Sequence, residues 1–307
     1  MSARRWLRHV SGMARARLRG DAAAALRHRR ELALLALDAD AETLTFRRDG
    51  LAWTVRAVRH TITRNLYVHG RHPGRELDAL ADWLRARGRL GDAHPWCVDV
   101  GANVGAPTLF FARDLGRRVV AIEPVPANFA LLRTNVDANA LGGRIVCVNA
   151  AVAETEGTLT MALHEKDGQC EVAGEGGRTT FATTPAARVD VPARPLDALV
   201  ADAGAAPHAV AFAWSDTQGF EAQVVRSGGA LWAAGTPLFC ELWPEALELH
   251  GGVDAFADAC ARHFGAFALR KDLESAGARV ALQPIAHLRE TLRALPRQTD
   301  GLLVPSD

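Results

Sequence analysis

The sequence predicts a doubly wound α/β fold, and three observations carry the prediction. Apolar runs of strand length recur at 96–100, 118–122, 145–148, 209–214 and 237–242, with helical patterns between the first three and between the last two. The first run ends in a glycine-rich turn, Asp99-Val100-Gly101-Ala102-Asn103-Val104-Gly105, that opens a helix. The second ends in an acid, Glu123, near the spacing of about 20 residues at which a carboxylate accepts hydrogen bonds from ribose hydroxyls in sheets of this Rossmann-like kind.

The elements follow in order. A basic helical pattern covers 14–37, and β-branched and aromatic residues with an Asp49-Gly50 turn signal then predict a small β element over 44–68. Leu77, Leu80, Trp83 and Leu84 share one face of a helix over 76–90. Residues 1–93 are thus read as an N-terminal helix/β extension and 94–307 as the main domain. Pro107 suits the first turn of the helix after the glycine turn. Residues 158–195 break the rhythm with short alternating β patterns around a polar stretch, 167–177, and are read as a β insertion with a mobile loop. A helix over 253–263, a strand over 266–270, a helix over 285–295 and a last apolar run, 301–305, close the chain; that run is placed to complete the sheet.

Composition bounds the function. The 307 residues, 49% apolar and 23% charged, can build a sizeable core. A net charge of +1 supplies no global field to attract nucleic acid or an anionic membrane, although the charge is unevenly distributed and any partner must be read from local motifs; nucleic acid is not an expected partner, and no apolar stretch reaches the roughly 20 residues of a membrane span. Cys97, Cys147 and Cys240 lie in apolar runs and Cys170 and Cys260 complete a set without metal-ligand spacing, which suits a reducing, cytoplasmic setting. The first thirty residues are rich in Arg and Ala, but Lys166 and Lys271 are the only lysines of the chain, so the bias is global and a solvated basic helix is expected. Tyr67, His69 and His72 precede the core and are placed to line a substrate mouth, but isolated histidines in an arginine-rich segment are read as solvated.

The turn chooses its ligand by charge. A dinucleotide site needs three glycines so that backbone amides meet a pyrophosphate, and Asp99 would repel one. A carboxylate there suits a ligand with an ammonium and a sulfonium, as in S-adenosylmethionine. Gly101 and Gly105 let the backbone approach, and the Asn103 amide is expected to support the turn. Glu123 is expected to be a partly exposed loop acid whose truncation weakens cofactor binding and leaves the fold intact.

The segments Asp99–Gly105, Glu123–Asn128 with Leu132 and Asn135, Asp216–Glu221 and Glu241–Trp243 resemble, in order, the signatures of the FkbM family of methyltransferases. The resemblance implies a class I methyltransferase fold, S-adenosylmethionine as donor and a hydroxyl oxygen of a small molecule, natural product or glycan as acceptor. The candidate cofactor set is Asp99, Gly101, Ala102, Asn103, Val104, Gly105, Glu123, Pro124, Asn128, Asn149, Ala150 and Asp216.

The fourth run delivers Asp216 to the same sheet edge, where a base helps an alcohol to attack a methyl group. Asp216 is the first candidate catalytic residue and Glu241, at the next strand end, the second. His250, before Gly251-Gly252, is the third, against the expectation of a plain cation at a helix C-terminus. A helix N-cap competes for Asp216, and Glu221, in the first helical turn, is read as structural. A divalent metal is open to Asp216 and Glu241, though nothing in the spacing demands one. Trp214, Trp232 and Trp243 are assigned to packing. Two alternatives stand beside the methyltransferase: a nicotinamide-dependent oxidoreductase on a similar sheet, and a non-catalytic scaffold docking through its basic helix.

Overall fold

A computed structural model describes residues 3–37, 41–57, 61–70, 74–164, 170–174, 177–181 and 184–306. They form two compact units, one within residues 1–72 and one over the rest of the described chain.

The first unit begins with two helices where the sequence pattern predicts one over 14–37. α1 (Ala3–Leu18) and α2 (Ala22–Leu35) are separated by Gly20 at φ +71, and Asp21 restarts the helix by accepting the Ala24 N–H at 2.8 Å. Gly12 of α1 admits the His28 ring of α2: a Cβ at Gly12 would lie 2.5 Å from it. β1 (Thr43–Arg48) and β2 (Leu51–Arg56) pair antiparallel around Asp49 and Gly50, both at positive φ as a tight hairpin turn requires. The β element stops there. Residues expected to stay extended to Val68 are helical: α3 (Thr61–Arg64) runs into a π-helical turn, Asn65–His69, which buries Leu66 and Val68 and ends at Gly70, φ +85. Tyr67 packs edge-on against Phe46, and His72 lies outside the described residues.

The second unit opens with α4 (Arg75–Ala86), whose predicted apolar face is buried. The alternation then runs β3 (Trp96–Val100), α5 (Ala106–Arg113), β4 (Arg118–Ile122), α6 (Pro126–Ala138) and β5 (Ile145–Val148). The predicted insertion follows as β6 (Ala151–Val152), β7 (Gly157–Leu163), β8 (Cys170–Val172) and β9 (Ala187–Arg194), a sheet of order β6-β9-β7-β8; residues 165–169 and 175–176 of its polar stretch lie outside the described ones. The chain continues through α7 (Leu196–Asp202), β10 (Val210–Ser215), α8 (Glu221–Ser227), α9 (Gly229–Ala233), β11 (Leu238–Leu242), α10 (Pro244–Leu247) and α11 (Gly252–Ala261). It closes with β12 (Phe264–Leu269), α12 (Arg270–Ala276), β13 (Gln283–Pro284), α13 (Leu288–Ala294) and β14 (Thr299–Pro305).

The large sheet has the order β13-β12-β14-β11-β10-β3-β4-β5. Its five central and right-hand strands are parallel, and β14 completes it antiparallel between β11 and β12. This is the doubly wound Rossmann-like fold the sequence predicts. The strand order reverses between β3 and β10, and such a switch point opens a crevice at the carboxyl ends of the strands. The insertion packs Met161, Val172 and Val191 on Val125 and Phe220, in the loops after β4 and β10, so it borders that crevice.

Candidate active site

The glycine turn is held from several sides. Gly101 and Ala102 donate their N–H groups to the Ile122 carbonyl at 2.9 and 3.0 Å, and Gly105 closes the turn on the Ala102 carbonyl at 2.8 Å. Asn103 supports it through the backbone instead of the predicted side-chain amide: at φ +50 it donates its N–H to Glu123 Oε2 at 2.8 Å. Asn135 binds the Val104 carbonyl at 2.8 Å. Gly101, at φ +82, faces the Asp216 carbonyl so closely that a Cβ would lie 2.1 Å from it. Gly105, at φ +91, lies under the Leu132 side chain, which such a Cβ would meet at 2.7 Å.

Glu123 is not the partly exposed loop acid of the sequence reading. Only 3% of it is exposed, because its carboxylate ties two loops together. Besides Asn103, it accepts the Val125 N–H at 2.9 Å and the Asn128 amide at 3.4 Å, both on Oε1. Asn128 is buried beside it, and Asn149 uses its amide on the carbonyls of Glu123 and Pro124 at 2.8 and 2.9 Å, next to buried Ala150. These residues therefore shape the loop whatever else they touch.

The register puts a row of acids on one face of the sheet. Asp99 pairs with Trp214 across β3 and β10, so Asp216, two positions on, shares its side; Glu241 pairs with Asp300 across β11 and β14. Asp99 is fully buried: Thr108 of α5 donates to its Oδ2, and Oδ1 has no protein partner. Asp216 is exposed to solvent although protein surrounds it on most sides, as at the floor of a crevice. Removal from bulk water raises its carboxyl above the ordinary value, with the Gln218 amide opposing. Glu241 is nearly buried and its Oε2 is unpartnered; burial first, then Asp216, Glu221 and Asp300, hold it well above the usual carboxylate range.

Asp216 does not cap α8. Glu221 organises the loop after β10 instead, accepting the Thr217 N–H and hydroxyl at 2.9 and 2.8 Å and the Gly219 N–H at 2.9 Å, which agrees with its structural reading. His250 follows a short α10, and burial lowers its pKa with Glu171 opposing, which works against the expected helix-end cation. Its ring lies edge-on to Phe220 at 5.0 Å with Nε2 unpartnered. Ser215 Oγ joins Asp99 Oδ1 and Glu241 Oε2 as a third buried unpartnered atom at these strand ends. Trp214 stacks on Phe239 at 4.6 Å and Trp232 donates to the Val225 carbonyl, which is packing as predicted.

A family model, the methyltransferase FkbM domain, matches residues 99–264, from the glycine turn to the start of β12. The chain belongs to the FkbM methyltransferase family. Its matched span holds every candidate site residue, and the oxidoreductase alternative loses its footing. No curated protein matches the chain. Among solved structures it is similar to P. horikoshii TYW2 in complex with MeSAdo, at 13% identity over 87% of this chain and 72% of that one, TM-score 0.38. It is similar also to the O-methyltransferase from Bacillus cereus in complex with SAH (13% identity, 80% and 86% covered, TM-score 0.39). A third likeness is to geranyl diphosphate C-methyltransferase from Streptomyces coelicolor A3(2) (11%, 81% and 83%, 0.38).

The sequence reading missed three groups of this FkbM chain. Thr108 is the partner of Asp99, Asp300 joins the acid row with Arg270 Nη1 2.8 Å away, and in the insertion buried Glu171 holds His164 at 3.0 Å and the Thr180 N–H at 2.8 Å. Phe181, next to Thr180, meets the ring of Trp243 at 5.4 Å, just beyond Glu241.

Two predictions follow from burial. Glu123→Ala is expected to cost stability as well as cofactor binding, about 2 to 5 kcal/mol, because it leaves the buried N–H groups of Asn103 and Val125 unpaired. Urea unfolding checks it, and a variant as stable as the parent contradicts it. The second concerns pH. Burial pushes Asp99, Glu123 and Glu221 up to about 7, against the donors that favour their ionised forms. Between about 4 and 7 the folded chain therefore holds protons that the unfolded chain has released. The contribution of these groups is full below about pH 4, is lost as pH rises through 7, and then levels off. The urea midpoint is expected to be higher at pH 5.5 than at pH 8; a midpoint that rises over that interval contradicts the assignment.

Proposed function

We propose that the chain is an S-adenosylmethionine-dependent O-methyltransferase acting on a hydroxyl of a small molecule, natural product or glycan. The observation that carries the reading is the convergence of Asp99, Glu123 and Asp216 on the switch-point crevice, with Asp216 alone of the three open to solvent. The residues fit the cofactor. Glu123 keeps acceptor capacity after its three protein bonds, since a carboxylate offers about four lone-pair sites, and that capacity suits a ribose hydroxyl. Asp99, with Oδ1 unpartnered beneath the turn, supplies a negative field suited to a cationic ligand. The turn from Gly101 to Gly105, with Pro124, Asn128, Asn149 and Ala150, frames the rest of the site.

When bound, S-adenosylmethionine supplies a methyl group activated on a sulfonium. Asp216 orients the acceptor hydroxyl and takes its proton; a carboxyl raised by its surroundings is a better base than an ordinary one. Glu241, whose carboxyl burial holds above its usual range, and His250, whose Nε2 is unpartnered, offer further hydrogen-bonding groups to the acceptor. The test incubates the purified chain with methyl-labelled S-adenosylmethionine and separate panels of hydroxyl, amine and activated-carbon acceptors, read by mass spectrometry. Label in hydroxyl acceptors is expected; label confined to nitrogen or carbon overturns the O-methyl reading.

A further inference from the structure

Residues 1–37 carry nine arginines against two acids, Asp21 and Glu31, in a chain whose net charge is only +1. On α1, Arg4, Arg8 and Arg15 are exposed at helical spacing along one line. Beside that line, Leu7 and Leu18 are 58% and 88% exposed, with Ala14, also exposed, on the same stripe. The large hydrophobic residues exposed among the described residues are Trp6, Leu7, Leu18 and Leu26, and all four lie on α1 or α2. Single exposed leucines are ordinary on a protein surface; here they gather on the one hairpin that is also crowded with arginine. Nor are they left over from the hairpin's own packing, because α1 meets α2 through Gly12 and the buried Ala16.

We propose that the α1–α2 hairpin docks this protein on the surface of an anionic lipid bilayer. A helix lying in the interface needs an apolar stripe reaching the acyl boundary and cations flanking it at the level of the headgroups, with tryptophan favoured between the two. Leu7, Ala14 and Leu18 supply the stripe, Arg4, Arg8, Arg15 and Arg19 flank it on one side, and Trp6 lies about 100° round the helix on the other. Arginine suits phosphate because its planar fork binds two oxygens at once. The docking is peripheral: no helix among the described residues is long and apolar enough to cross a membrane. Nucleic acid would use the same arginines but has no use for exposed leucines at 58% and 88%, which is why the lipid surface is the better occupant.

Flotation of the full chain with phosphatidylcholine vesicles, with and without phosphatidylglycerol, tests the proposal. Binding is expected to the anionic vesicles alone and to fall as salt is raised. Leu7→Glu with Leu18→Glu is expected to weaken it by about tenfold or more with every arginine in place. Arg4→Ala with Arg8→Ala is expected to weaken it by about fivefold per arginine. Circular dichroism and melting establish that both variants keep the fold; the arginine pair stands as the test if the leucine pair does not fold. Equal flotation on both vesicles, binding that neither pair weakens, or tighter binding to duplex RNA that Leu18→Glu leaves unchanged would overturn it.

Discussion

Asp216→Asn is expected to lower methyl transfer by about 10² to 10⁴-fold while leaving the fold and cofactor affinity close to those of the parent, the usual loss for a general base. The structure sharpens this expectation. Asp216 does not cap α8, its side chain is exposed at the crevice, and the loop around it is organised by Glu221, so asparagine removes charge from a carboxyl that no helix depends on. Turnover and melting temperature measured side by side decide it. Unchanged turnover in a stable variant transfers the base to Glu241, which Glu241→Gln then tests; a variant that loses stability and turnover together makes Asp216 structural.

Gly101→Ala is expected to be the most damaging single methyl group in the site. Two costs add at this position. A residue with a Cβ at φ +82 sits in the left-handed region, at roughly 1 to 2 kcal/mol, and the methyl would lie 2.1 Å from the Asp216 carbonyl, so β3 and β10 must separate at the switch point itself. Overpacking of this kind costs typically about 1 to 3 kcal/mol more. Gly116→Ala isolates the first cost, since Gly116 is at φ +66 with nothing within 4 Å of its Cβ position. Urea unfolding is expected to show about 1 to 2 kcal/mol for Gly116→Ala and about twice that or more for Gly101→Ala, with loss of cofactor binding only in the latter. Equal losses at the two sites would mean that the backbone approach at Gly101 carries no weight.

The core strands were legible because each is a short apolar run flanked by turn residues, and β3, β4 and β5 fall where the runs lie. The first unit was read less well. Gly20 interrupts a continuous basic helical pattern, and the turn 65–69 carries the residues of a strand, Leu66, Tyr67 and Val68, in a π-helical turn that buries Leu66 and Val68. At the site, the identity of the acids was readable and their surroundings were not. Glu123 looks like any acid at a strand end until the Asn103 and Val125 N–H groups close on it, and Asn103 looks like a side-chain donor until its positive φ aims the backbone instead. Asp300 lies just before the apolar run 301–305 that was readable as a strand, yet only the antiparallel register of β14, which includes it, sets it opposite Glu241. Pairings between residues distant in the chain leave no trace in local pattern, and they decide which carboxylate is open and which is spent.

The central claim is that the Asp99–Gly105 turn with Glu123 forms a site for S-adenosylmethionine. Titration calorimetry of the full chain with S-adenosylmethionine, S-adenosylhomocysteine and the nicotinamide dinucleotides tests it most directly. Saturable binding of the first two, weakened in Glu123→Gln, and no heat from the dinucleotides is the expected result; dinucleotide binding without S-adenosylmethionine binding would contradict the account.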